Sequence, residues 1–240
     1  MFKLLTKRKI LTAALAVFAA ILVTVSACMG LNRHIRSASA PVSSRPAVII
    51  DAGHGGVDGG SVAKDGTQES GINLSIALRL RDILVAFGWD VTMIREEDIS
   101  IHDPSAVTVR QKKASDLHNR MKIMEANPDA LFVSIHQNHF ESPRVSGAQV
   151  FFAPKVPEAK SLAQSIQQSL KTYVQPENTR EVKPSTDDIY ILYYAKSTAV
   201  MVECGFMSNP AESLRLRSGD YQGKLAIAIA GALMEYTALN

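Results

Sequence analysis

The sequence predicts an α/β fold in a single domain, and three observations predict it. Short apolar runs recur at residues 48–50, 130–135 and 199–202. Runs of that length, rich in β-branched residues, read as buried strands. Between them lie segments with apolar residues at helical spacing, several of them closed by Gly or Pro. Each strand also leads into an ionisable residue, at His54, His136 and Glu203. In open α/β sheets, ligands bind at the carboxyl edge of the strands.

The chain has 240 residues, room for one targeting segment and one domain with a real core. Its formal net charge of +3 is unevenly spread. Residues 1–40 hold Lys3, Lys7, Arg8, Lys9, Arg33 and Arg36 and no acid. The remainder has 20 basic and 23 acidic groups, a net −3. That balance argues against a nucleic-acid partner. No repeat or low-complexity tract is present.

Residues 1–30 read as a signal or membrane-anchor segment, 31–46 as a linker and 47–240 as the catalytic domain. Lys7-Arg8-Lys9 precede a charge-free apolar stretch over residues 10–29, the pattern of an export signal. Val25-Ser26-Ala27-Cys28 resembles a lipobox, which makes Cys28 a candidate for lipidation. Ala38-Ser39-Ala40 has the form of an ordinary cleavage site, but Pro41 hinders cutting there. Lipidation and an uncleaved anchor stand equally, ahead of release into the medium. All three place residues 41–240 outside the cytoplasmic membrane, and the first two hold the domain on its outer face. Cys28 lies in the export segment, so it and Cys204 form no disulfide.

Within the domain, the strand at 48–50 runs through Asp51 into a turn containing Gly53, Gly55, Gly56, Gly59 and Gly60. His54 is presented there as a first metal ligand. Glu69 stands just before a helix over 72–87, which Gly88 stops. A carboxylate there is favoured by the helix dipole, and beside His54 it also serves as a second ligand. Residues 89–94 read as a strand and 96–109 as irregular. Residues 110–125 form a helix with Ala114, Leu117, Met121 and Met124 on one face. His118 and the Lys/Arg run lie on its other, solvated face.

The strand at 130–135 ends in His136, repeating the geometry at His54. His139 reads as a loop histidine. A strand over 147–152, a helix over 157–173 and a polar loop over 175–188 near the site follow. Residues 189–194 (IYILYY) are a candidate strand. The strand at 199–202 delivers Glu203, and helices at 211–217 and 222–237 close the domain.

Two imidazoles and a carboxylate are the protein ligands of a catalytic zinc, which leaves one position for water. Zinc lowers the pKa of that water to about 7. A nearby carboxylate outside the ligand set can take the water's proton and pass it to a departing nitrogen. His54, Glu69 and His136 with Glu203 thus assemble a hydrolase for an amide. There is no H-E-x-x-H motif, and the glycine turn lacks both the dinucleotide fingerprint and the P-loop lysine.

DAGHGGVDGG, Glu69 ahead of the first long helix, SIHQN and VECGFMSNP appear in this order from about Val48 onward. Together they resemble the zinc-dependent N-acetylmuramoyl-L-alanine amidases of the amidase-3 type. The resemblance implies a mixed, mostly parallel β-sheet flanked by helices, with zinc at the carboxyl ends of its strands. It makes His54, Glu69 and His136 the zinc ligands and Glu203 the catalytic acid–base. The implied substrate is peptidoglycan, cut between muramic acid and L-alanine. The chain is most similar to the CwlD-like, germination-associated subgroup, through its short N-terminal segment, lone catalytic domain and the basic stretch Arg110-Gln111-Lys112-Lys113. That subgroup acts ahead of muramic-δ-lactam formation in spore cortex, and an accessory activator protein is a further candidate partner. His139 departs from the family pattern. Two other readings compete: a thiol peptidase built on Cys204, and a wall-binding protein without catalysis.

Overall fold

One six-stranded sheet carries the structure, a computed structural model that describes residues 47–239. The expectations for residues 1–30 and for the linker up to residue 46 lie outside the described residues. The strands are β1 (Val48–Ala52), β2 (Val91–Met93), β3 (Leu131–Asn138), β4 (Gln149–Phe152), β5 (Lys183–Pro184) and β6 (Ala199–Phe206). Their spatial order is β2-β1-β3-β6-β4-β5. The first four are parallel, β4 runs antiparallel to β6, and β5 runs with β4. The expected α/β domain with a mixed, mostly parallel sheet is what the chain forms.

The helices are α1 (Glu69–Ala86), α2 (Val109–Glu125), α3 (Pro157–Tyr173), α4 (Tyr190–Tyr193), α5 (Pro210–Leu216) and α6 (Gly219–Leu239). Helix α6 packs on both α1 and α3, which in turn cover β1, β3 and β4. Ile76, Leu80 and Leu84 of α1, Leu162, Ile166 and Leu170 of α3, and Leu225, Ile229 and Leu233 of α6 are all buried there. They meet the wholly buried strand β1 and the apolar residues of β3 and β6. That burial is the main stabilising term of the domain. None of the described helices is long and apolar enough to cross a membrane.

The opposite face is covered more thinly, by α2 and the single turn of α4. Thr108 and Gln111 close a capping box at the start of α2, satisfying its first free N–H groups. This thinner cover leaves the upper part of the sheet face open, and the candidate site lies there.

Three expectations change. Residues 189–194 do not form a strand. The Tyr193 amide donates to the Ile189 carbonyl at 3.0 Å, and Ile191 and Leu192 are buried by one helical turn. Aromatic and β-branched residues express strand preference only on a pleated surface, and this segment packs against β6 and α2 instead of extending the sheet. Strands β3 and β6 run on past the end of their apolar stretches, so His136 and Glu203 lie inside strands and not at their tips. Arg120 is not on a solvated face of α2 but 3% exposed, for a reason that concerns the site.

Candidate metal centre

Strand register builds one wall of the site. His136 of β3 is paired with Glu203 of β6, and Glu203 with Gln149 of β4. Residues in register share a sheet face, with neighbouring strands about 4.8 Å apart. Gly53 continues this row on the β1 side, where its amide donates to the Ile135 carbonyl at 3.0 Å. A Cβ on Gly53 would lie 2.2 Å from His136 Nε2. The imidazole therefore lies across the glycine, and only glycine leaves room for it.

His54 has φ +61°, the left-handed conformation that side-chain-bearing residues avoid. Such a residue costs about 1–3 kcal/mol and persists only where its surroundings impose it. Two buried guanidinium groups do so here. Arg95 donates to the carbonyls of Ala52 and Gly53 at 2.8 and 2.9 Å. Arg120 donates to those of Ala52 and His54 at 3.0 and 2.7 Å. Arg120 also pairs with Asp51, whose other oxygen accepts from Ser134 at 2.7 Å. The turn that aims His54 is clamped from below.

Glu69 opens α1 and reaches both imidazoles through one oxygen. Its Oε1 is 3.3 Å from His54 Nε2 and 3.0 Å from His136 Nδ1. The two rings meet edge to face at 4.8 Å. Oε1 also accepts from Asn73 Nδ2 and the Gln137 amide, both at 3.0 Å, and Oε2 accepts from the Ser61 amide at 2.9 Å. Gly60, with φ +68°, passes so close that a Cβ would lie 2.6 Å from Oε2. The structure thus brings together the three residues picked as ligands. Among the described residues they alone form a His/Cys/Asp/Glu group able to hold a metal ion, with their ligand atoms within 4.8 Å of one another. Zinc bonds of about 2.0–2.2 Å in tetrahedral geometry separate ligand atoms by roughly 3.3 Å, which this set can provide.

Asp58 accepts from His54 Nδ1 at 2.9 Å and is held in turn by Lys113 Nζ at 2.8 Å. With Nδ1 engaged by Asp58, Nε2 is the ring nitrogen that faces Glu69. Burial works against a charged His54, yet its bonds to Asp58 and Glu69 prevail and raise its pKa to about 9. Burial likewise acts to raise Glu69, but hydrogen bonds from His136 and His54 hold it well below the usual carboxylate range.

Glu203 is different. Its Oε2 is buried without a hydrogen-bond partner. Burial pushes its pKa up to about 7, against the opposing charge of His136. A cleft of about 380 Å³ opens over His54 and His136, walled by Lys113, Asp188, Tyr190 and Met201. The end of the 175–188 loop therefore borders the site. A larger cavity of about 710 Å³, lined by His118 and Tyr190, lies along α2 away from the triad.

Cys204 is fully buried, one residue along β6 from Glu203 and so on the other sheet face. Burial pushes its thiol far up, which removes the nucleophile a thiol peptidase needs. His139 is exposed just past β3 and takes no part in the triad. Asp58, Asn73, Arg95 and Arg120 carry the site without having been singled out. The only available signals were spacing: Asp58 follows His54 by four residues, and Asn73 follows Glu69 by one helical turn.

A His–Glu–His set toward the carboxyl ends of parallel strands, beside a carboxyl group of raised pKa, is the donor arrangement of a metal-dependent hydrolase. The chain belongs to the amidase-3 family of N-acetylmuramoyl-L-alanine amidases, whose sequence pattern matches residues 48–235, and it is accordingly a peptidoglycan hydrolase. It is 34% identical over 198 residues to the germination-specific N-acetylmuramoyl-L-alanine amidase of Bacillus subtilis (strain 168), covering 82% of each chain. It is 26% identical over 247 residues to the amidase AmiA of Escherichia coli (strain K12), covering 85% of this chain and 81% of that one. Among solved structures, the CwlD amidase from Clostridioides difficile, in complex with the GerS lipoprotein, superposes with a TM-score of 0.78 at 41% identity. The match covers 81% of this chain and 100% of that one.

Proposed function

We propose that the chain is a zinc-dependent amidase in which His54, Glu69 and His136 hold the metal and Glu203 is the catalytic acid–base. The observation that carries this reading is the convergence of His54 Nε2 and His136 Nδ1 on Glu69 Oε1, with Glu203 next to His136 in the strand register. The nitrogen and oxygen donors of this set suit zinc. Zinc held there supplies a Lewis acid for the amide carbonyl and an acidified water.

The rest of the chemistry belongs to the side chains. Glu203 takes a proton from the attacking water and returns it to the nitrogen of L-alanine as the bond to the muramyl lactyl group breaks. A carboxyl group with pKa near neutrality is suited to both transfers. Asp58 keeps His54 in the ligating tautomer, and Asn73 and the Gln137 amide fix Glu69.

The likeness to the germination-specific relative supports a role in spore cortex maturation, ahead of muramic-δ-lactam formation. The relative solved with a lipoprotein supports an accessory protein as partner. The N-terminal segment supports a site of action outside the cytoplasmic membrane, through an anchor or lipidated Cys28.

Variants test the assignment. His54→Ala and His136→Ala lose zinc by elemental analysis. Glu203→Gln keeps zinc and loses about 10²-fold or more in turnover of a muramyl peptide. Undiminished turnover in Glu203→Gln contradicts its role, and full zinc content in both histidine variants contradicts the ligand set.

A further inference from the structure

The row formed by Gly53, His136, Glu203 and Gln149 continues one side chain further. Gln149 is 3% exposed, and its Oε1 accepts from Arg180 Nη1 at 2.9 Å. Arg180 Nε donates to the Ser146 carbonyl at 2.9 Å, and its guanidinium lies over the Phe206 ring at 4.7 Å. The backbone beneath is set as well. The Arg180 amide donates to Asn178 Oδ1 at 3.0 Å, and Asn178 Nδ2 donates to the Ala148 carbonyl at 2.8 Å.

This guanidinium is therefore held rigidly, but it is not neutralised. No carboxylate lies within ion-pair distance of it among the described residues. Both hydrogens of Nη2 and one of Nη1 have no protein partner there. The adjacent Glu181 pairs instead with Lys171 at 2.5 Å. A planar, preorganised guanidinium with an open edge matches a carboxylate in geometry and charge.

Position says which carboxylate. If Glu203 delivers the proton to the departing nitrogen, that nitrogen lies on the Glu203 side of the triad. The peptide beyond it then passes over Gln149 toward Arg180, while the muramyl side faces the cleft near Lys113 and Tyr190. In a peptidoglycan stem, L-alanine contributes no free carboxylate, and the next residue contributes the first. We propose that Arg180 binds the free carboxylate of the second stem-peptide residue and makes the enzyme selective for acidic over amidated stems. This inference rests on the proposed role of Glu203.

The test is binding of a stem tripeptide to the zinc-loaded full chain, in two forms: the second residue's α-carboxylate free, or amidated. A charge-assisted pair at a partly buried site predicts roughly 10- to 100-fold tighter binding of the acidic form. Arg180→Gln is expected to bind both forms equally, with its unfolding midpoint reported alongside. Equal or absent binding of the two forms to the wild type overturns the proposal, and so does a preference that survives in Arg180→Gln. The wild-type comparison decides by itself should the variant not fold. Turnover of the matching muramyl tripeptides separates the two readings. An acidic preference without any hydrolysis contradicts the amidase mechanism and leaves the Arg180 site standing.

Discussion

Arg120 of α2 pairs with Asp51 of β1, 69 residues away in sequence, and its second Nη donates to the His54 carbonyl at 2.7 Å. Both side chains are buried, at 4% and 3% exposure, and Asp116 accepts from Arg120 Nε at 2.6 Å. One guanidinium thus neutralises a charge under the sheet and pins the strained turn that carries a candidate metal ligand.

Arg120→Met leaves Asp51 buried without its partner. The expected loss is about 3–5 kcal/mol at neutral pH, read from urea unfolding of the metal-free protein. Burial alone raises the Asp51 pKa, but Arg120, His136 and Ser134 together hold it below the ordinary carboxylate value. A depressed carboxylate contributes stability above its unfolded pKa of about 3.9, and loses it as pH falls through the folded value. The gap between wild type and Arg120→Met should therefore narrow below about pH 4. A gap independent of pH would show that Asp51 is not what Arg120 serves.

Gly53→Ala places a methyl group 2.2 Å from His136 Nε2. Overpacking of this kind costs about 1–3 kcal/mol, and here the displaced group is a candidate ligand, so zinc content should fall too. Gly66→Ala is the control. Gly66 has φ +87° but nothing within 4 Å of an added Cβ, so strain of about 1 kcal/mol is expected with zinc retained. Equal zinc content in the two variants would contradict the close approach at Gly53.

Asp58→Asn keeps a hydrogen-bond acceptor beside His54 Nδ1 but removes the charge. Loss of a carboxylate partner to a metal-bound histidine weakens metal affinity by about 10- to 100-fold. Competition with a chromophoric chelator measures it. Unchanged affinity would mean that the 2.9 Å bond does not orient the ligand.

Much of this arrangement was legible in the sequence, for identifiable reasons. Val48–Ala52 and the apolar starts of β3 and β6 are short runs that only a covered sheet can bury. Glu69 reads from the sequence as standing at or just ahead of the first turn of its helix, because the 3.6-residue pattern after it is strong, and the helix in fact begins at Glu69 itself. The ends of β3 and β6 were not legible. His136-Gln137-Asn138 and Glu203 interrupt the apolar pattern while the backbone stays extended, because these polar side chains serve the site. Arg120 was misread for a different reason. A basic residue on a helix looks the same whether it faces water or an aspartate on a strand far back in the chain. Only the tertiary contact distinguishes the two, and the same holds for Arg95 and Arg180.

The most direct test incubates the purified, zinc-loaded protein with peptidoglycan, with and without a chelator, and identifies the products by mass spectrometry. The account predicts stem peptides with a free N-terminal L-alanine, and their disappearance when the chelator is present. Release that persists undiminished after verified removal of the metal, or none at all from a protein whose site is full of zinc, would contradict it.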